Sequence, residues 1–222
     1  MTNQQLKAHF IQVVKPYIHE SIVDEIANYF VENKIVLKIT KNRITKLGDF
    51  RPKASHGLPQ ITVNGGLNKY SFLITLIHEM AHFEVFSTYG LHNVKPHGEE
   101  WKMKYRNLML PFIKLPLFPE KLHPVLKKHV YNPAASSCSD KDLDIALSEF
   151  DKHSGYYTLS EIEYNQFFIY NGKRLFKKVK PHHSRFFCEE YPHKKAYLFN
   201  SNAKVLLWDF EKKKVILKKG FE

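Results

Sequence analysis

Cysteine is nearly absent from this chain. Only Cys138 and Cys188 occur in 222 residues, too few for a disulfide framework and in keeping with a reducing compartment. Long apolar runs are missing too. No segment approaches the roughly 18 uninterrupted apolar residues that a membrane span needs. The opening MTNQQLKAHF lacks the apolar stretch of a secretory signal. A cytoplasmic protein without a membrane partner is therefore expected. There is no internal repeat, no low-complexity tract, no glycine-rich phosphate loop and no nucleophile elbow. A hydrophobic fraction of 43% and an aromatic fraction of 14% exclude a disordered chain.

Acidic residues are scarce in one place. The formal charge is +12, and residues 166–222 carry 14 Lys and Arg against 5 Asp and Glu, whereas residues 116–165 carry 5 against 8. The run KRLFKKVKPHHSRF (173–186) contains no acid at all. Such asymmetry points to a polyanionic partner, and in a cytoplasm that means nucleic acid, DNA included. Lys173, Arg174, Lys177, Lys178, Lys180 and Arg185 are the candidate phosphate contacts, with interleaved aromatics packing inward or stacking on bases. A solvated hairpin face over a core is the alternative. The adjacent His182 and His183 are expected to be exposed loop histidines.

Periodicity outlines the elements. QQLKAHFIQVVKPYI and SIVDEIANYFVENK repeat apolar residues at three- and four-residue steps, which predicts two opening helices, with Ser21 capping the second. IVLKIT, KLGDFRPK and LPQITVN predict a short antiparallel meander. A helix is predicted from between Asn68 and Ser71 to Tyr89, stopped by Gly90, and another over about 98–112. Residues 114–165 are expected to be a Pro-rich, partly helical connector. Beyond Gln166, short strands and an Asn-Gly turn predict an antiparallel β module over 166–222. Its expected core is Phe167, Phe168, Phe186, Phe187, Leu198, Leu206 and Trp208.

Inside the third helix stands HEMAH (78–82). An α-helix turns 100° per residue, so positions four apart share a face. His78 and His82 can thus offer nitrogens to one zinc ion at about 2.0–2.1 Å, with Glu79 beside it to take a proton from a bound water. Phe72, Leu73, Leu76, Ile77, Met80 and Phe83 surround them. Two histidines and a glutamate in a buried helix are costly unless paired or bound to metal; a satisfied pair of core histidines is the bland alternative. Catalytic zinc usually takes a third protein ligand. The metzincin extension would need Gly at 85 and His at 88, where this chain has Val85 and Thr88. Glu99, Glu100, His92 and His97 remain as candidates.

TLIHEMAH, followed fifteen positions after His82 by the histidine of KPHGEEW, resembles the SprT-like metalloprotease family, and the likeness covers roughly residues 20–113. That family includes proteases acting on proteins crosslinked to DNA. The resemblance implies that His97 is the third ligand, in an HGxxW motif completed by Gly98 and Trp101, and leaves His92 as a loop histidine. It implies an α+β, zincin-like domain over 1–113 with a short antiparallel sheet. Many relatives end in a zinc ribbon with paired cysteine knuckles; this chain has none, so 166–222 is expected to be ribbon-like and metal-free.

The expected function is zinc-dependent hydrolysis of peptide bonds in DNA-associated proteins. His78, His82 and His97 hold one Zn2+, Glu79 is the general base, and strand 59–64 is the edge that pairs with extended substrate. Two rivals stand beside it: a DNA-binding or scaffold protein with a non-catalytic zinc site, and a zinc hydrolase acting on something other than protein. Intact Glu79 argues against the first, because a structural site has no use for a base.

Overall fold

The computed structural model describes residues 2–41, 46–90, 94–133, 140–151, 155–172 and 174–218. The chain divides into two compact units, Met1–Asp151 and Lys152–Glu222. Helices and sheets are both present, so the architecture is α+β. Among the described residues no helix is long and apolar enough to cross a membrane.

The first unit opens with helix α1 (Asn3–Val14). Its first turn is closed by a reciprocal cap, in which the Gln5 amide N–H donates to Thr2 Oγ1 and the Thr2 N–H to Gln5 Oε1. Helix α2 (Val23–Glu32) follows a 3-10 turn over Glu20–Ile22. Ser21 lies within that turn, and the residue that caps it is His19, whose ring accepts from the Ser21 N–H. Strands β1 (Val36–Thr40), β2 (Gly48–Arg51) and β3 (Gln60–Asn64) form a sheet in the order β1-β3-β2.

That order corrects two expectations. β1 pairs with β3 in parallel and β2 with β3 antiparallel, so the sheet is mixed and not a meander. Strand 59–64 is also central rather than an edge. Ile61, Thr62, Val63 and Asn64 are all buried, and a strand covered on both faces takes the middle, where both rows of backbone groups find partners.

Helices α3 (Lys69–Tyr89), α4 (Glu99–Lys114), α5 (His123–Tyr131) and α6 (Lys141–Ser148) complete the unit. α4 runs through Pro111 to Lys114. The boundary expected at residue 113 does not coincide with the break at Asp151. Leu117, Phe118, Leu122, Leu126, Val130, Leu143 and Leu147 join Phe30, Ile61, Phe72 and Trp101 in one core. Their prolines shape turns between packed helices instead of an extended connector.

Among its described residues, the second unit is a seven-stranded antiparallel sheet. Its strands are β4 (Tyr157–Thr158), β5 (Phe167–Tyr170), β6 (Arg174–His182), β7 (Arg185–Tyr191), β8 (Lys195–Asn200), β9 (Lys204–Asp209) and β10 (Lys214–Ile216). The order is β10-β9-β5-β6-β7-β8, with β4 also on β9. Asn171 and Gly172 both take positive φ, 57° and 67°, in the expected β5–β6 turn. Phe168, Phe176, Cys188, Phe199 and Val205 form the core, and Phe186 and Leu207 pack on it. Phe167, Phe187, Leu198, Leu206 and Trp208, all expected in that core, sit instead at alternate strand positions, on the opposite face. A doublet such as FF fixes no parity, since one of its members must face each way.

Candidate metal centre

Helix α3 starts where Asn68 Oδ1 accepts from the N–H groups of Tyr70 and Ser71, at 3.1 and 3.0 Å. It ends at Gly90, whose φ of 76° suits glycine. The Asn68 amide donates to Leu147 O and Asp151 Oδ1, which ties the helix start to α6. Phe72, Leu73, Ile74, Leu76, Ile77, Met80, Ala81 and Phe83 are buried around it, and His78 and His82 share its half-buried face. His97 arrives from the turn before α4 and has φ of 57°, a left-handed conformation uncommon outside glycine. Next to it the Gly98 N–H donates to Lys95 O at 2.9 Å. Trp101, in the first turn of α4, lies under all three imidazoles, with ring centroids 4.6, 5.4 and 4.7 Å from His78, His82 and His97.

The three Nε2 atoms converge. His78–His97, His78–His82 and His82–His97 are separated by 3.1, 3.3 and 3.0 Å. These contacts cannot all be hydrogen bonds, because an imidazole nitrogen carries either a proton or one in-plane lone pair, never both. In a triangle of three nitrogens at least one would have to do both. Nitrogens bound to one tetrahedral zinc at about 2.0–2.1 Å lie roughly 3.3–3.4 Å apart, close to the spacing seen. The donor set therefore fits a zinc ion, and among the described residues it is a group whose ligand atoms lie close enough together to hold a metal.

Electrostatics agree. Burial lowers the pKa of His78 to about 2, helped by His82, His97 and His129. Burial and then His97 lower that of His82 to about 4, and burial alone lowers that of His97. All three rings are neutral near pH 7, with lone pairs free to bind a cation.

Glu79 is 7% exposed. Strand β2 passes so close that a β-carbon on Gly48 would stand 2.5 Å from Glu79 Oε1 and 2.8 Å from Thr75 Cγ2. Only glycine leaves room for that carboxylate.

Comparison with models of known families matches residues 19–118 to the SprT-like family. This segment is SprT-like. No curated protein and no solved structure matches the chain. His78, Glu79, His82 and His97 all fall inside the SprT-like segment, and so does β2. Among the alternative third ligands, Glu99 is exposed and paired with Lys102 at 2.8 Å, and neither it nor Glu100 joins the histidine group. His92 lies outside the described residues.

The basic residues beyond the SprT-like segment separate by face. Cross-strand register puts Lys177 opposite Glu189, Lys180 opposite Phe187 and Arg185 opposite His182, all on the sheet face away from the core. Arg174 faces the other way; its guanidinium is bound to Glu190 at 2.7 Å and lies over the Phe176 and Tyr197 rings. Lys178 is only 3% exposed. Its ammonium donates to Leu159 O and Ile162 O and sits 3.9 Å from the centre of the Phe186 ring. Lys178 is thus a core residue and no phosphate contact. The bulge between Lys178 and Lys180 is what returns Lys180 to the outer face. Lys173 lies outside the described residues. His182 and His183 are exposed.

Sequence reasoning passed over Gly48, although a glycine inside the strand-like KLGDFRPK is a known mark of close backbone approach. Tyr105, His129 and Asp140, behind Trp101, left no such mark.

Proposed function

We propose that the SprT-like segment is a zinc-dependent peptidase. The convergence of three neutral imidazoles beside a buried glutamate carries this reading. The family is typically metal-dependent and associated with metalloprotease activity. His78, His82 and His97 would hold the ion through Nε2. Zinc in such a site supplies a Lewis acid that polarises the scissile carbonyl and acidifies water. Glu79 takes the proton from the attacking water and returns it to the leaving amine. β2 is an edge strand beside Glu79, so extended substrate adds to the sheet there, in place of the central β3.

The second unit is proposed to bind DNA through Lys177, Lys180 and Arg185, so that proteolysis acts on DNA-associated proteins. Support comes from its excess of 14 basic over 5 acidic residues across 166–222. The same face also carries a mutually packed trio, Phe167, Tyr191 and Phe210, with Tyr191 and Phe210 exposed.

Zinc analysis of the purified protein, followed by cleavage of a flexible protein with and without DNA, tests both parts. Zinc-dependent cleavage stimulated by DNA is expected. Zinc binding without cleavage in either condition would favour a non-catalytic site.

A further inference from the structure

Behind the three histidines stands a wall of stacked rings. Tyr105 lies on Trp101, with centroids 5.1 Å apart and planes 12° from parallel. Both are almost wholly buried. Neither Trp101 Nε1 nor the Tyr105 hydroxyl has a hydrogen-bond partner among the described residues. Polar contacts therefore do not hold the wall in place; ring packing does.

The ring that closes its far side is His129, set edge-on to Tyr105 at 5.7 Å and 88°. His129 is 2% exposed, and its Nδ1 lies 3.0 Å from Asp140 Oδ2. Asp140 is anchored in turn, since its other carboxylate oxygen accepts from the Leu143 N–H as the cap of α6. The Asp140 charge is felt along this line: burial first, then Asp140, pushes the Tyr105 phenol above its ordinary range. His129 and Asp140 both lie beyond the matched residues 19–118.

We infer that His129 and Asp140 are positioning residues for the metal centre, fixing the Tyr105–Trp101 wall against which His78, His82 and His97 are oriented. The inference rests on the metal reading above. Groups behind metal ligands commonly set affinity by holding the ligands in geometry, and their loss typically costs about 10- to 100-fold in binding. It also gives α5 and α6 a role in the site, beyond filling the core.

The test is zinc affinity of the full chain, measured by chelator competition, together with the visible spectrum of the cobalt(II)-loaded protein. Asp140→Ser keeps a capping oxygen for α6 but cannot reach His129; it should weaken zinc about 10- to 100-fold and shift the cobalt bands. Asp140→Asn keeps the cap through its one oxygen and turns its NH2 toward His129, whose Nδ1 can accept from it in the other ring tautomer. A hydrogen bond then survives without the charge, so its loss should be smaller. Leu143→Ala opens a cavity in the same helix, and should lower the melting temperature while leaving zinc affinity within about twofold. Asp140→Ser binding zinc within about twofold of wild type would overturn the inference. So would Leu143→Ala weakening zinc as much as Asp140→Ser, because the effect would then be general loosening. If the wild type takes up no zinc, the metal reading itself falls.

Discussion

Gly48 and Glu79 are in such close approach that no side chain fits between them: a β-carbon on Gly48 would stand 2.5 Å from the Glu79 carboxylate and 2.8 Å from its Cγ. Gly48 does not have a positive φ, so the need for glycine there is one of space and not of backbone conformation. Gly48→Ala should push the carboxylate away from the three histidines and cut kcat/KM by about 10- to 100-fold, since small displacements of a catalytic group have effects of that size. Zinc content should stay near wild type, because the atoms nearest the new methyl belong to Glu79 and Thr75 and not to the three histidines. Wild-type activity in this variant would mean that Glu79 moves freely and is not held by β2.

Glu79→Gln separates chemistry from structure. The amide has nearly the carboxylate's shape but cannot accept a proton, and removing one general base typically costs about 10²–10⁴ in rate. Peptide cleavage should fall by that factor with zinc content and melting temperature near wild type. Retained cleavage would show that another group takes the proton.

The ligand assignment predicts a contrast between histidines. His97→Ala should lose zinc to a chelator far faster than His183→Ala, since His183 is exposed and lies in the other unit. Equal retention in the two variants would remove His97 from the site.

Proton affinity gives a pH dependence. The folded-state pKa values of His78 and His82, about 2 and about 4, lie below the ordinary value of 6.5. Their contribution to stability is therefore complete above pH 6.5 and is lost as pH falls toward the folded values, because the unfolded chain binds protons first. For His82 alone the effect is at most about 3 kcal/mol. In metal-free protein the urea midpoint should drop between pH 6.5 and 4, and His82→Gln should flatten that drop. A midpoint independent of pH over this range would show that the rings are not neutral and buried as described.

Much of the first unit is legible in the sequence because its signals are local. The Asn68 cap, the Gly90 stop and the four-residue step from His78 to His82 depend on neighbours along one helix, and the Asn-Gly turn on two adjacent residues. What escapes depends on distant partners. β3 is central because β1 and β2 flank it, which neither strand's own pattern states. The leucines after residue 114 are buried by helices far away in sequence, so their prolines suggest a linker. Lys178 looks like its neighbours in a basic run until strand parity and a bulge put it under Leu159 and Ile162.

That burial sharpens the nucleic-acid prediction. Lys177, Lys180 and Arg185 share the outer face of the second sheet, so replacing all three by Ser should weaken DNA binding. Removing one phosphate-binding side chain should reduce the slope of log affinity against log salt by about 0.7 for single strands or 0.9 for duplex, so the triple replacement should reduce it by about 2 to 3. Zinc content and cleavage of a flexible protein without DNA should be unchanged, because these residues lie outside the unit that holds the histidines. Lys178→Met supplies the contrast. It leaves two carbonyls without their donor at a cost of about 1–3 kcal/mol each, and should lower thermal stability with little change in the salt slope. Fluorescence anisotropy at several salt concentrations reads both variants. If the triple variant keeps the wild-type slope, or if Lys178→Met flattens the slope while the triple variant does not, the outer face is not where DNA binds.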